Sequence, residues 1–159
     1  MAIIIVEDGS GVAGANSYIS EADLLSYATD RGTTLSTATD VLILRSMDYI
    51  EMQRFIGVKA KDDQSLEWPR ADLYKYKSNE IPAELIKAQF ALCVQIDIGN
   101  DPLSPGDRET KREKVDVIEV EYMDGARSRA SIPSVDRWLS MLTLGNVGGS
   151  LGVVRAGRA

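Results

Sequence analysis

Histidine is absent from this sequence, and cysteine occurs once, at Cys93. The first absence removes the commonest general base, the usual hydrolytic triads and most zinc and iron ligand sets. The second excludes an internal disulfide and any C-x-x-C pair, and fits assembly in a reducing cytoplasm. A phosphate-cradling G-x-x-x-x-G-K-[ST] loop is missing too. Carboxylates are plentiful, but none stand at a spacing that demands an active site. No enzymatic activity, cofactor or metal is therefore expected. No apolar run approaches the roughly 18 residues that would cross a bilayer, so no membrane contact is expected. The N-terminus, Met1-Ala2-Ile3-Ile4-Ile5-Val6-Glu7-Asp8, has neither the basic start nor the long apolar stretch of a signal peptide.

Positive charge is scarce as well. Eighteen lysines and arginines face 24 aspartates and glutamates, a net charge of −6. Affinity for a nucleic-acid backbone comes mainly from basic side chains that displace counterions, so an acidic domain binds DNA only where its basic residues share one face. What is present is a chain of 159 residues, 44% hydrophobic, enough for one domain with a core of its own.

The pattern predicts a mainly α fold: a small bundle of three to four helices, a β-hairpin near the C-terminus, and extended N- and C-terminal arms. Residues 1–144 form the domain and 145–159 a flexible tail. Ile3 to Val6 reads as a short strand or an extended arm. Gly9-Ser10-Gly11-Val12-Ala13-Gly14 is formally a G-x-G-x-x-G. A dinucleotide turn needs a helix to begin at once and a βαβ unit to follow. Neither is present, and Glu7 and Asp8 would repel phosphate, so this is a glycine loop. Ser20 caps a helix over about 21–31 that carries Leu24, Leu25 and Ala28, with Gly32 as its stop. A second helix over about 38–55 has one apolar face of Leu42, Tyr49, Met52 and Ile56, and a neighbouring one of Ile43, Met47 and Ile50. Pro82 opens a third, over about 82–98, with Leu85, Ala88, Leu92, Cys93 and Ile96 on one face. Cys93 lies in that apolar face without a basic partner, which is a core position.

Between the second and third helices runs Gln64-Ser65-Leu66-Glu67-Trp68-Pro69-Arg70. The proline keeps Trp68 out of a helix. The segment reads as a loop pinned by its tryptophan, with Glu67 and Arg70 as an ion pair. Beyond it Tyr74-Lys75-Tyr76-Lys77 is the chain's one aromatic-basic cluster, the kind of surface a single-strand binder uses. After the breaker at 101–106, Val115 to Tyr122 and Ala126 to Ile132 predict a hairpin over about 115–132, turning at Asp124-Gly125. Such a pair is marginal alone and needs a partner. Pro133 to Leu142 reads as a fourth helix with Val135, Trp138, Leu139 and Leu142 on its apolar side. The glycine-rich tail carries only positive charges.

Several of these segments occur together in one known family. Leu66-Glu67-Trp68-Pro69-Arg70 follows the Arg45-Ser46-Met47-Asp48-Tyr49-Ile50 helix and precedes Ile81-Pro82-Ala83-Glu84-Leu85-Ile86-Lys87-Ala88-Gln89. Val6-Glu7-Asp8-Gly9 and Ala15-Asn16-Ser17-Tyr18 come before both. In these stretches, over roughly Ile3 to Leu142, the chain resembles tailed-bacteriophage proteins of the DnaT-like single-stranded-DNA-binding family, which sit among phage head-to-tail adaptor (head-completion, or connector) proteins. The resemblance to adaptors implies a structural virion protein at the neck, assembled in the host cytoplasm. It would form an oligomeric ring, commonly of about twelve copies, between the portal protein and the next tail or neck protein. DNA would pass through its channel without specific binding. The expected portal and subunit contacts are then Trp68, Arg70, Tyr122, Leu151, Val153, Val154, Arg155 and Arg158. The family's own description implies the alternative, a single-stranded-DNA-binding protein of phage replication. Its contacts would be Tyr74, Lys75, Tyr76 and Lys77, with Lys59, Lys61 and Arg70 on the same face.

Overall fold

A computed structural model describes residues 2–104, 110–112, 121–122 and 132–144. Its elements in chain order are α1 (Glu21–Asp30), α2 (Thr39–Glu51), β1 (Val58–Lys59), β2 (Arg70–Ala71), α3 (Ala83–Asp97), β3 (Thr110–Arg112), β4 (Glu121–Tyr122) and α4 (Pro133–Leu139). The fold is mainly helical, as the periodicity predicts. No described helix is long and apolar enough to cross a membrane.

The third helix is the centre of the bundle, packed against α2 on one side and α4 on another, with α1 across both α2 and α3. Leu85, Ala88, Leu92, Cys93 and Ile96 are all buried, which matches the face read from the sequence. Each fully buried leucine contributes about 1.5–3 kcal/mol, so this stripe is a large source of burial energy, beside that of Leu42, Ile43, Met47, Tyr49 and Ile50 on α2. Cys93 is a core residue; burial pushes its thiol up to about 12. One polar residue shares the stripe. Gln89 is fully buried, and its oxygen accepts the Tyr18 N–H at 3.1 Å. Its amide nitrogen donates to the hydroxyls of Ser17, at 3.0 Å, and Ser46, at 3.3 Å. An interior amide is tolerated because both ends of it are satisfied.

The first helix starts where its cap predicts: the Ser20 hydroxyl accepts the Asp23 N–H at 3.1 Å, and Glu21 and Asp23 occupy the first turn. Leu24 and Ala28 are buried, whereas Leu25, expected on the same stripe, faces solvent. The second helix ends one turn earlier than expected, at Glu51. Past it, Phe55 turns inward to bridge Thr143, with Ile56 N–H donating to Leu142 O at 2.9 Å and Leu144 N–H to Arg54 O at 2.8 Å. Burying Phe55 outweighs another helical turn, and the change leaves Met52, expected in the core, 61% exposed. The fourth helix is likewise shorter than expected, ending at Leu139, though Val135, Leu139 and Leu142 are buried as predicted.

The segment between α2 and α3 has more structure than a loop. Strands β1 and β2 pair antiparallel, Val58 with Ala71 and Lys59 with Arg70, and so close a ring of chain around residues 60–69. Gly57 makes this possible: its φ is 75°, and a Cβ there would lie 2.5 Å from the Ala71 carbonyl oxygen. Inside the ring Gln64 donates to Leu66 O and Pro69 O, at 2.7 and 3.0 Å. The Trp68–Pro69 peptide is cis.

The expected antiparallel two-stranded hairpin is present near the C-terminus, with its described pairing upstream of the expected turn. Glu121–Tyr122 pairs upstream, with Thr110–Arg112, across an irregularity. The Asp124-Gly125 turn and the return strand over 126–131 lie outside the described residues, as does the tail at 145–159.

The N-terminal arm is held by side chains. Asn16 accepts the Ile5 N–H and donates to Ile3 O, and Val6 bridges Ser17 in parallel. Asp40 accepts the Ala2 N–H at 2.6 Å, and that bond chiefly holds its carboxyl below the ordinary 3.8. A depressed acid stabilises the fold above its unfolded value and loses that effect as pH falls through the folded one. The Ala2 amide resonance is therefore expected to titrate below about pH 3.8 in wild type and to lose that acid step in Asp40→Asn. An Ala2 profile identical in the two proteins would contradict the contact.

Candidate nucleic-acid interface

Trp68 is fully buried, and its ring meets Phe55 and Tyr76 edge-on at centroid distances of 6.0 and 5.6 Å. Its backbone N–H donates to the Tyr18 hydroxyl at 3.1 Å, and that hydroxyl donates to Glu51 at 2.8 Å. The other Glu51 oxygen accepts the Glu67 N–H at 2.9 Å. Burial raises the Glu51 carboxyl, and burial with the Glu51 charge pushes the Tyr18 phenol far up. Arg70 is buried too, donating to Ile56 O, Gly57 O and Glu67 O. It forms the expected ion pair with Glu67, at 2.6 Å. Trp68 and Arg70 thus hold the chain together from inside and present nothing to a neighbour. Their expected role as portal or subunit contacts is corrected. The Tyr122 side chain, Leu151, Val153, Val154, Arg155 and Arg158 lie outside the described side chains.

The glycine loop is filled by the protein itself. Glu7 is buried, and its carboxylate accepts the N–H groups of Gly9, at 2.9 Å, Gly11, at 2.8 Å, and Val12, at 2.8 Å. Such a nest of amides is the usual cradle of a phosphate. Here an internal carboxylate already occupies it, so these amides are not free to take a phosphate. Gly9, at φ 101°, also passes so close to Asn79 that a Cβ would lie 2.2 Å from its carbonyl oxygen.

The Tyr74–Lys77 cluster divides. Tyr76 is 9% exposed and belongs to the Trp68 core, so it offers no face to a base. Tyr74 stands wholly in solvent, with a relative exposure of 109%. Lys75 is exposed but engaged: its ammonium is 2.7 Å from Glu84 and 4.9 Å from the Tyr76 ring centre. The pairing raises Lys75 and lowers Glu84. Lys77 is exposed with no carboxylate on its ammonium among the described residues. Lys59 is paired with Glu67 at 3.1 Å, and the Lys61 ammonium donates to Ser10 O at 2.6 Å. With Arg70 inside, those three do not extend the cationic surface as expected.

A second aromatic-basic group appears that the sequence reading passed over. The Tyr27 and Phe90 rings stack 4.7 Å apart at 8°, and the Arg31 guanidinium covers the Tyr27 ring at 3.5 Å. Lys87, one turn before Phe90 on α3, has its ammonium 4.9 Å from the Trp138 ring centre. The available signal was spacing: Tyr27 and Arg31 are i,i+4, and Lys87 and Phe90 are i,i+3.

No curated protein and no solved structure matches this chain. One protein-family model does, described as "Putative DnaT-like ssDNA binding protein", and it covers residues 1–159. That description overturns the head-to-tail adaptor reading and the partners drawn from it, namely the portal protein, ring neighbours and a neck protein. It favours the alternative of single-stranded DNA. Over its whole length, the chain belongs to the DnaT-like single-stranded-DNA-binding family.

Proposed function

We propose that this protein binds single-stranded DNA, without a catalytic step, and that Tyr74 is a principal contact. One observation carries the assignment beyond the family: the Tyr74 ring stands fully exposed immediately before Lys75, with Lys77 three residues on. A ring left in water gains by stacking on an unpaired base, while the adjacent ammonium groups meet the phosphates. Its mount is firm, because Tyr76, two residues on, is locked edge-on against Trp68. The acidic net charge is compatible with this mode, since stacking supplies affinity that does not depend on charge.

The test is fluorescence anisotropy with labelled oligo(dT). Tyr74→Ala is expected to weaken binding by about 5- to 150-fold, the range for one lost stacking contact. Tyr76→Phe is expected to bind as wild type, because the Tyr76 ring is buried against Trp68 and offers no face to the strand. Wild-type affinity in Tyr74→Ala would contradict the assignment.

A further inference from the structure

The Arg31–Tyr27–Phe90 column is a pile of three flat groups whose outermost plane is a cation. Phe90, at the bottom, packs against the core, and Tyr27 lies parallel on it. Arg31 lies on Tyr27, its Nη1 also donating to Tyr27 O at 3.3 Å. The guanidinium is thus held over the Tyr27 ring, and Arg31 is exposed. Among the described residues it has no carboxylate partner. Arginine planes and aromatic faces are the surfaces on which unpaired bases stack, and a plane already held in place loses little freedom when a base covers it.

From this geometry we infer a second base-stacking platform at Arg31, linked to Tyr74 by a cationic path along α3. The path begins where Lys75 meets Glu84 on the first turn of α3. One turn further is Lys87, beside Trp138, and one turn beyond that is Phe90 under Tyr27 and Arg31. From Glu84 to Phe90 the helix rises only about 9 Å. A single strand lying along α3 would meet Tyr74, Lys75, Lys87 and Arg31 in that order, with stacking at both ends and phosphate contacts between. On that path Glu84 holds Lys75 as a phosphate would.

The inference rests on the single-strand reading above, and a length series separates the two. Oligo(dT) of about 4 and about 12 nucleotides is titrated with the full chain and with Arg31→Gln/Lys87→Gln, both substitutions being at exposed positions. Wild type is expected to bind the longer strand more tightly. The double variant is expected to lose at least about five-fold on the longer strand and nothing on the shorter one, and its salt slope to fall by about 0.7 for each phosphate contact removed. Arg31→Lys is expected to keep the slope and still lose affinity, because the charge remains and the plane is gone. If the double variant binds the longer strand like wild type while Tyr74→Ala is weakened, the second platform is wrong and the single-strand reading stands. If wild type binds neither strand, both fall. Should Arg31→Lys bind as tightly as wild type, charge alone acts there and the stacking platform is overturned.

Discussion

Trp68→Ala is expected to cost about 3–5 kcal/mol of folding stability, the range for a buried large aromatic cut to a methyl group. Trp68 has no exposed surface, and both aromatic partners would lose their edge contacts at once. The loss would spread, because Phe55 is the residue that turns the chain out of α2, and Tyr76 anchors the segment that carries Tyr74. Trp68→Phe is expected to cost less than Trp68→Ala, because phenylalanine keeps an aromatic ring beside Phe55 and Tyr76 and leaves a smaller void. The indole N–H finds no acceptor among the described residues, so phenylalanine gives up no hydrogen bond. Urea denaturation of the two variants checks this. A loss below about 1 kcal/mol in Trp68→Ala would contradict the placement of the ring in the core.

Glu7→Gln is the second large effect, expected at about 2–4 kcal/mol despite the near-identical shape. The carboxylate accepts three backbone N–H groups, two on Oε1 and one on Oε2. A glutamine keeps one oxygen and turns an NH2 toward the remaining donor. The part-buried Val12 amide would be orphaned, and the other two bonds would lose their charge assistance. Denaturation midpoints and the exchange rates of the Gly9, Gly11 and Val12 amides report the change. Stability within about 0.5 kcal/mol of wild type, with those amides still protected, would contradict the nest.

Much of the helical framework was legible in the residues. The Ser20 cap with its first-turn acids, Pro82, and the 3.6-residue spacing of Leu85, Ala88, Leu92, Cys93 and Ile96 are local signals, and the fold honours them. The failures share a cause: contacts distant in sequence overrode local preference. Phe55 leaves α2 to meet Thr143, and β4 pairs upstream with Thr110–Arg112, a partner no turn signal announces. Gly57 permits a strand pair that no periodicity announces. In the candidate site, alternation hid the outcome. Tyr74 and Tyr76 look equivalent in sequence, but only the second is within reach of Trp68, and it goes inside. The Tyr27–Phe90 stack joins α1 to α3 across more than sixty positions, which a single sequence does not reveal. Glu7 looked like a repellent for phosphate, and it is the loop's own anion. The adaptor reading came from a likeness in short motifs, and the family match, described by single-stranded DNA, corrected it.

The most direct measurement is equilibrium binding of the full chain to oligo(dT) and to a duplex of equal length, at about 50 mM salt and again at about 200 mM. Unpaired bases are what Tyr74 and Arg31 offer to stack on, so the single strand is expected to bind more tightly than the duplex. Four cations (Lys75, Lys77, Lys87 and Arg31) limit the log–log salt slope on the single strand to about −3, at roughly −0.7 per phosphate. Tight single-strand binding with that shallow slope is the predicted result. No binding at the lower salt, or equal affinity for duplex, would contradict the account.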